Sequence, residues 1–293
     1  MNKRTTGEKI FAVFNTIFLI LLCIICILPV WHVFMGSISD PLKVAATSGL
    51  YLLPLGKPTL GGYKLILANN TIVRAYANTL FYVVTATSIG LVLNILAAYV
   101  LSRRNLMFGK YIGMFVVFTM IFNGGLVPTF IVINKLGMYN TVWAIILPGC
   151  LTAYNIIIMR TSFQEIPYEL QEAAKIDGAN DFQLLTKIIL PVSKAIIAVI
   201  VLFYGIQHWN SWFQASIYLK DRSLFPLQLV LREIVLQSTE NAIVADTDGS
   251  DVNVYRPLIK YATIVVSVLP MLVVYPFVQK YFVSGVMIGA VKG

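Results

Sequence analysis

Arg160-Thr161-Ser162-Phe163-Gln164-Glu165-Ile166-Pro167-Tyr168-Glu169-Leu170-Gln171-Glu172-Ala173-Ala174-Lys175-Ile176-Asp177-Gly178-Ala179-Asn180-Asp181-Phe182-Gln183-Leu184-Leu185-Thr186-Lys187-Ile188-Ile189-Leu190-Pro191 is the most polar stretch between two long apolar runs of this 293-residue chain. Pro167 suits a first helical turn, and Glu169 and Glu172 sit where the positive end of a helix favours carboxylates. Gly178 can take the left-handed backbone that closes a helix. The pattern predicts a helix of about ten residues ending at Gly178. Asn180 or Asp181 then caps a second helix running towards Pro191.

Working outward, apolar runs flank this segment at 141–159 and 188–212, and others lie at 10–34, 76–101, 111–133 and 258–282. Crossing a hydrocarbon core of about 30 Å takes roughly 20 residues of helix. Unpaired backbone groups are so costly in lipid that runs of this length are expected as continuous helices. Composition points the same way: 58% of residues are hydrophobic, 12% are charged and the mean hydropathy is +0.80, whereas a soluble domain carries roughly 25% charged residues. The expectation is an all-α membrane protein with six transmembrane helices in a single domain, 1–293. Run 10–34 is longer than a signal-peptide core and ends without a small-residue cleavage site, so it is read as a retained first helix.

Basic residues set the expected orientation. Lys3, Arg4 and Lys9 precede the first span, Arg103, Arg104 and Lys110 join the second and third, and Lys135 alone joins the third and fourth. By the positive-inside rule both termini are cytoplasmic. Segment 160–191 then lies inside, while 36–75 and 213–257 lie outside. Within the second outer loop, Leu227, Leu231 and Ile234 recur at helical spacing behind Pro226, which predicts a short amphipathic helix lying on the outer surface. The formal charge of +9 is explained by topology. The basic residues stand singly or in pairs between apolar segments, with no stripe and no interleaved stacking aromatics, so nucleic acid is not an expected partner.

A helix–turn–helix on the inner face of a membrane offers a place for another protein to dock. Ala173 and Ala174 make a low, flat surface with the charge of Glu172 beside it. The same residues also fit an ordinary solvated loop with a helical turn.

The full spacing decides between these. Glu172-Ala173-Ala174, Gly178, Ile188, Leu190 and Pro191 reproduce E-A-A-x(3)-G-x(9)-I-x-L-P, and the segment resembles the EAA loop of ABC importer permeases. Val127-Pro128, Leu136-Gly137-Met138-Tyr139-Asn140-Thr141, Leu147-Pro148, Trp209-Asn210 with Phe213, and the terminal Gly289-Ala290-Val291-Lys292-Gly293 resemble the carbohydrate branch, subunits like MalG of the maltose importer, and within it permeases proposed for longer saccharides. The resemblance covers the chain after its first helix. It implies a type I ABC importer permease fold, with 160–191 as the cytoplasmic coupling loop and Glu172, Ala173, Ala174, Gly178, Leu190 and Pro191 coupling it to an ATPase. It also implies the partners: a second permease that is a different chain, two ATPase subunits, and an extracytoplasmic binding protein delivering an oligosaccharide or related carbohydrate. A type I permease for a non-sugar solute is the alternative.

No phosphate loop occurs, since Gly56-Lys57 is followed by Pro58 and Gly109-Lys110 by Tyr111, so ATP hydrolysis is expected on another chain. The spans contain almost no ionisable residues, which disfavours a proton-coupled carrier. His32 and His208 lack a nucleophile or carboxylate set around them in the sequence, so neither catalysis, nor a metal, nor a cofactor is expected. Cys23, Cys26 and Cys150 are read as helix-packing thiols. Asn94, Asn123, Tyr204, Gln207, Trp209 and Asn210 are candidate pathway residues that could meet sugar hydroxyls or simply bridge helices. Tyr204, Trp209, Trp212 and Phe213 could stack on sugar rings or form an interfacial belt, and Trp209, Asn210 and Phe213 are expected where the loaded binding protein docks. With no dense polar cluster evident in the spans, specificity is expected to rest more on the binding protein and the partner permease.

Overall fold

The computed structural model describes residues 5–236 and 250–290. Lys3, Arg4, positions 237–249 of the expected second outer loop and the end Val291-Lys292-Gly293 lie outside the described residues. Every described element is helical. The chain divides into two compact units, one containing residues 1–73 and 233–269 and the other 74–232 with the segment from 270.

The first unit begins with helix α1, Thr6–Ser37, whose N-terminus is closed by a capping box between Thr5 and Glu8. At 32 residues it is about 48 Å long, more than a bilayer core requires. Most of its large apolar side chains from Ile10 to Phe34 are exposed in this chain, as suits a helix that meets lipid or another membrane helix. Cys23 and Cys26 are exposed on the same helix, which corrects the expectation that they pack against another helix. The last turn of α1 is buried: Gly36 lies against the Tyr261 ring, and the Ser37 hydroxyl is 2.7 Å from that of Tyr63. His32 Nδ1 accepts the Tyr51 N–H at 2.9 Å. The expected first outer loop carries two short helices, α2 (Pro41–Ala46), capped by Asp40, and α3 (Gly61–Ala68).

In the second unit, α4 runs unbroken within the span Asn70–Ser102. Three other apolar runs are bent, correcting the expectation of continuous helices. Helix α5 (Gly109–Ile121) meets α6 (Leu126–Lys135) at 111°. Helix α7 (Trp143–Ile146), extended by a 3-10 turn to Gly149, meets α8 (Ala153–Gln164) at 43°. Segment Asp181–Val192 meets α12 at 84°; between these bends lies α9 (Tyr168–Ile176), followed by α10 (Asp181–Leu184), a π turn, α11 (Leu190–Val192) and α12 (Lys194–Trp209). Among the described residues, three helices are therefore long and apolar enough to cross a membrane alone, or up to six spans if each bent pair is one.

The breaks have local causes. Asn123 Oδ1 accepts the Gly125 N–H at 2.9 Å, and Gly125 has φ +91°, a conformation costly for any residue with a Cβ. Pro148 and Pro191 stand just before the other two breaks, where their missing N–H groups remove a bond from the preceding turn. Broken backbone survives at membrane depth where neighbouring protein covers it. At the α7–α8 break α4 supplies the cover: a Cβ on Gly90 would stand 2.6 Å from the Cys150 carbonyl oxygen. Cys150 itself is buried and its thiol donates to the Ile146 carbonyl at 2.9 Å.

Beyond α12 come α13 (Trp212–Tyr218) and α14 (Leu227–Leu236), in the expected second outer loop, and then α15 (Ser250–Ala290). The expected amphipathic helix exists, but its setting is different. Asn78 Nδ2 donates to the Ser223 and Phe225 carbonyls, the Tyr82 hydroxyl donates to the Leu224 carbonyl, and Thr79 Oγ1 accepts the Leu227 N–H. Leu227, Leu229 and Val230 are buried. One turn of α4 thus holds the start of α14, whose apolar face is covered by protein rather than lying on lipid.

Asn140, with φ +57°, ties the α6–α7 connection to this loop, its N–H donating to the Tyr218 carbonyl and its Oδ1 accepting the N–H groups of Lys220 and Asp221 at 2.7 and 2.8 Å. Asn140→Ala removes the double acceptor and places a Cβ-bearing residue without a compensating side-chain bond in a left-handed conformation, for a combined cost of about 1–2 kcal/mol. Hydrogen exchange at the Lys220 and Asp221 amides is expected to accelerate about tenfold in Asn140→Ala and to change little in Asn140→Asp. Equal protection in all three proteins would show that the side chain does not hold this loop.

Candidate functional site

Segment 160–191, the expected coupling loop, is built as a helix held from one side. Pro167 occupies the N-cap of α9, one position before its first residue rather than inside its first turn. At the other end Gly178 has φ +82°, and Asp177, Gly178 and Ala179 donate to the carbonyls of Ala173, Lys175 and Ala174. The second helix is capped by Asn180, which exchanges hydrogen bonds with Gln183 at 2.8 and 3.0 Å. The Tyr99 hydroxyl of α4 donates to the Asp181 carbonyl at 3.0 Å.

The two alanines separate. Ala174 is 7% exposed and packs into an apolar core with Ala98, Tyr99, Met159, Phe163, Leu184 and Leu185. Glu172, Ala173 and Gly178 are exposed. The expected flat two-alanine face is therefore corrected to one outward alanine, because neighbours in a helix point about 100° apart. Leu190 lies partly buried against the same core, and exposed Pro191 sits just before the 84° bend. These two shape the junction with α12 rather than the outward face.

Two large apolar side chains missed in the sequence are also exposed on this segment: Ile176 is 86% exposed and Phe182, in α10, 71%. The available signal is an apolar residue at each flank of Gly178 inside a polar loop. Gln171 was missed as well; it is buried and accepts from Arg103 Nη1 at 2.7 Å. The Arg103 guanidinium also covers the Tyr99 ring at 4.3 Å, and that of Arg104 covers the Tyr168 ring at 4.7 Å. Residues read only for topology thus bind α9 to the end of α4. A cavity of about 260 Å3 lies beside them, with Arg104, Asn105, Gln164, Glu172 and Lys175 on its walls.

The pathway candidates also divide. Asn94 and Tyr204 are fully buried and bonded to each other, Asn94 Nδ2 to the Tyr204 hydroxyl at 2.9 Å, so they bridge α4 and α12. Trp209 is buried edge-on against Tyr76 at 6.0 Å, not on an outer surface. Asn210 is exposed and its side chain donates to the Ile206 carbonyl of its own helix. Trp212 lies under the Arg232 guanidinium at 3.9 Å.

Asn123 and Gln207, in contrast, both line a cavity of about 430 Å3, together with Thr129, His208, Ser211, Phe213 and Gln214. The bend between α5 and α6 and the end of α12 bring these polar groups together from distant parts of the chain. This corrects the expectation that the spans form no dense polar cluster. Outside the spans, the Ser223 N–H donated to Asp221 holds that carboxyl below its ordinary pKa, as suits the cap of a short turn.

Residues 65–288 match the family described as binding-protein-dependent transport system inner membrane component. The chain is 40% identical over 276 residues to the polygalacturonan/rhamnogalacturonan transport system permease protein YtcP of Bacillus subtilis, covering 94% of this chain and 96% of that one. It is 37% identical over 289 residues to protein LplC of the same organism, covering 99% and 97%. Among solved structures, a chain of a bacterial ABC transporter involved in the import of the acidic polysaccharide alginate superposes with a TM-score of 0.86 at 30% identity, covering 96% of this chain and 100% of that chain.

Proposed function

Because the chain belongs to the family of binding-protein-dependent transport inner membrane components, and so is a multi-pass membrane permease subunit of an ABC importer rather than an enzyme, we propose that it carries an oligosaccharide or related carbohydrate across the bacterial inner membrane. Its family implies an ATPase, a substrate-binding protein and a second permease. In our reading the second permease is a different chain, two ATPase subunits drive the pair, and an extracytoplasmic protein delivers the sugar. The whole of 1–293 is one permease domain with both termini cytoplasmic, 160–191 its coupling loop and 213–257 its second outer loop.

The observation that carries the reading is α9. Ala174 and Gln171 hold it to the chain's own core while Glu172, Ala173 and Ile176 face outward, and Phe182 of α10 is exposed as well. Exposed apolar side chains beside a charge suit a protein–protein contact, whose apolar centre has a polar rim. We assign Glu172, Ala173 and Ile176 to contact with the ATPase, Ala174 and Gly178 to the shape of the contact helix, and Leu190 and Pro191 to relaying its movement into α12. The carbohydrate class rests on similarity to a polygalacturonan/rhamnogalacturonan permease and to a chain of an alginate importer.

The test is composition. Native mass spectrometry of the complex purified through this chain is expected to contain a second permease and two ATPase subunits, and the binding protein that stimulates its ATPase is expected to hold a saccharide. An amino acid or other non-sugar in that binding protein would replace the carbohydrate reading with a permease for another solute, and a chain purified without any ATPase would overturn the importer reading.

A further inference from the structure

We propose that the 430 Å3 cavity at the end of α12 is a saccharide site of this chain itself, one that holds an uncharged, hydroxyl-bearing sugar unit with His208 as its buried hydrogen-bonding anchor; the proposal rests on the carbohydrate reading above. The volume falls within the roughly 300–1,000 Å3 of small-molecule sites. His208 is 2% exposed, lines the cavity, and its Nε2 has no hydrogen-bond partner among the described residues. A buried polar atom left unpaired is costly, and native proteins rarely keep one without a use. Around it Asn123, Gln207 and Gln214 offer amide groups, which both donate and accept as sugar hydroxyls do. Phe213 contributes a half-exposed ring to the same wall.

The cavity also depends on a missing side chain. Gly149 is on its wall, and a Cβ there would stand 2.9 Å from Gln207 Nε2 and 3.0 Å from His208 Cε1. Glycine therefore leaves room for these two residues to keep their positions.

The chemistry of the wall selects among sugars. None of its described lining residues is Lys or Arg. A carboxylate entering such a site loses hydration without gaining an ion pair, which is unfavourable. The site is thus matched to neutral units, although the relatives are named for acidic polymers. Those carboxylates must be met elsewhere in the assembly, or the substrate of this importer carries few of them.

The importer is assembled in nanodiscs from this chain, its partner permease and its ATPase subunits, without binding protein. Saturation-transfer difference NMR then measures binding of galactotriose and of trigalacturonate. Galactotriose is expected to bind at least as tightly as trigalacturonate, and its affinity is expected to fall about tenfold in both His208→Phe and Gly149→Ala. His208→Phe removes the unpaired nitrogen while preserving a buried ring, so a purely structural histidine predicts a complex no less stable and binding unchanged. His208→Gln, which keeps a hydrogen-bonding group, is expected to recover part of the affinity. Gln207→Ala, at an exposed position, is expected to weaken binding several-fold without disturbing assembly, and keeps the test decisive if the buried variants do not assemble.

Unchanged affinity in Gln207→Ala and in every assembled variant overturns the proposal, as does a clear preference for trigalacturonate, or no saccharide binding by a wild-type importer that takes up saccharides. If the wild-type importer with its binding protein transports only a non-sugar, the carbohydrate reading fails and this inference falls with it, an outcome distinguishable by uptake alone.

Discussion

Ala173→Trp is expected to leave this subunit folded in the membrane yet cut binding-protein-stimulated ATP hydrolysis and uptake by tenfold or more, whereas Ala174→Trp is expected to reduce the amount of folded subunit itself. Ala173 is on the exposed side of α9 together with Ile176, which is one turn away. An indole there meets no atom of the chain's own core but obstructs whatever seats against the helix. Overpacking a close contact costs about 1–3 kcal/mol, equivalent to a factor of roughly 5 to 150 in an equilibrium.

Ala174, about 100° round the helix, faces inward with Tyr99, Phe163 and Leu184, so the same enlargement acts on folding. Membrane-fraction abundance and thermal unfolding of the solubilised complex separate the two. If both variants are equally abundant and equally impaired, the two residues do not have the distinct roles assigned to them.

Gly90→Val is expected to produce the largest loss of stability at any of the glycines discussed. Its Cβ would approach the Cys150 carbonyl oxygen to 2.6 Å and the Tyr204 ring to 3.2 Å. The carbonyl is backbone at the break between α7 and α8 and cannot rotate away as a side chain could. Relief requires moving α4 from the bent pair, exposing the buried contact between Asn94 and Tyr204. The cost is about 3 kcal/mol or more. Gly205→Ala is the internal control: nothing lies within 4 Å of its Cβ, and removing a helical glycine is worth about 0.5–1 kcal/mol of added stability. A Gly90→Val complex that melts at or above the wild-type temperature would contradict this packing.

Much of this architecture was legible in the sequence because lipid imposes a simple rule: long apolar runs become helices. That rule found α1, α4 and the final helix. It could not see the bends, since averaging over a run of apolar residues hides Asn123-Gly124-Gly125, Pro148 and Pro191, and whether such a break is tolerated depends on cover from another helix. The α14 pattern had the same ambiguity, because helical spacing of leucines identifies an apolar face without saying whether lipid or α4 covers it.

The coupling segment was read more closely, as Gly178 and Asn180 act on their own local backbone. What the segment could not disclose was direction. Ala173 and Ala174 are adjacent and identical in chemistry, and only packing against Tyr99 and Phe163 distinguishes the inward one. The cavity was least accessible, for its polar groups come from positions 123 to 214 and meet only after the spans bend.

The central claim, that the outward face of α9 carries the ATPase contact, is tested most directly by cross-linking. Single cysteines are placed at Ile176 and at Ala174 in a chain whose Cys23, Cys26 and Cys150 are replaced by Ser or Ala, and the assembled importer is treated with a short bifunctional maleimide. The account predicts that Ile176→Cys links to the ATPase subunit with a yield that changes on addition of ATP, and that Ala174→Cys does not link. Efficient linking from Ala174→Cys with none from Ile176→Cys, or linking of neither in a complex that still hydrolyses ATP on stimulation by its binding protein, would contradict it.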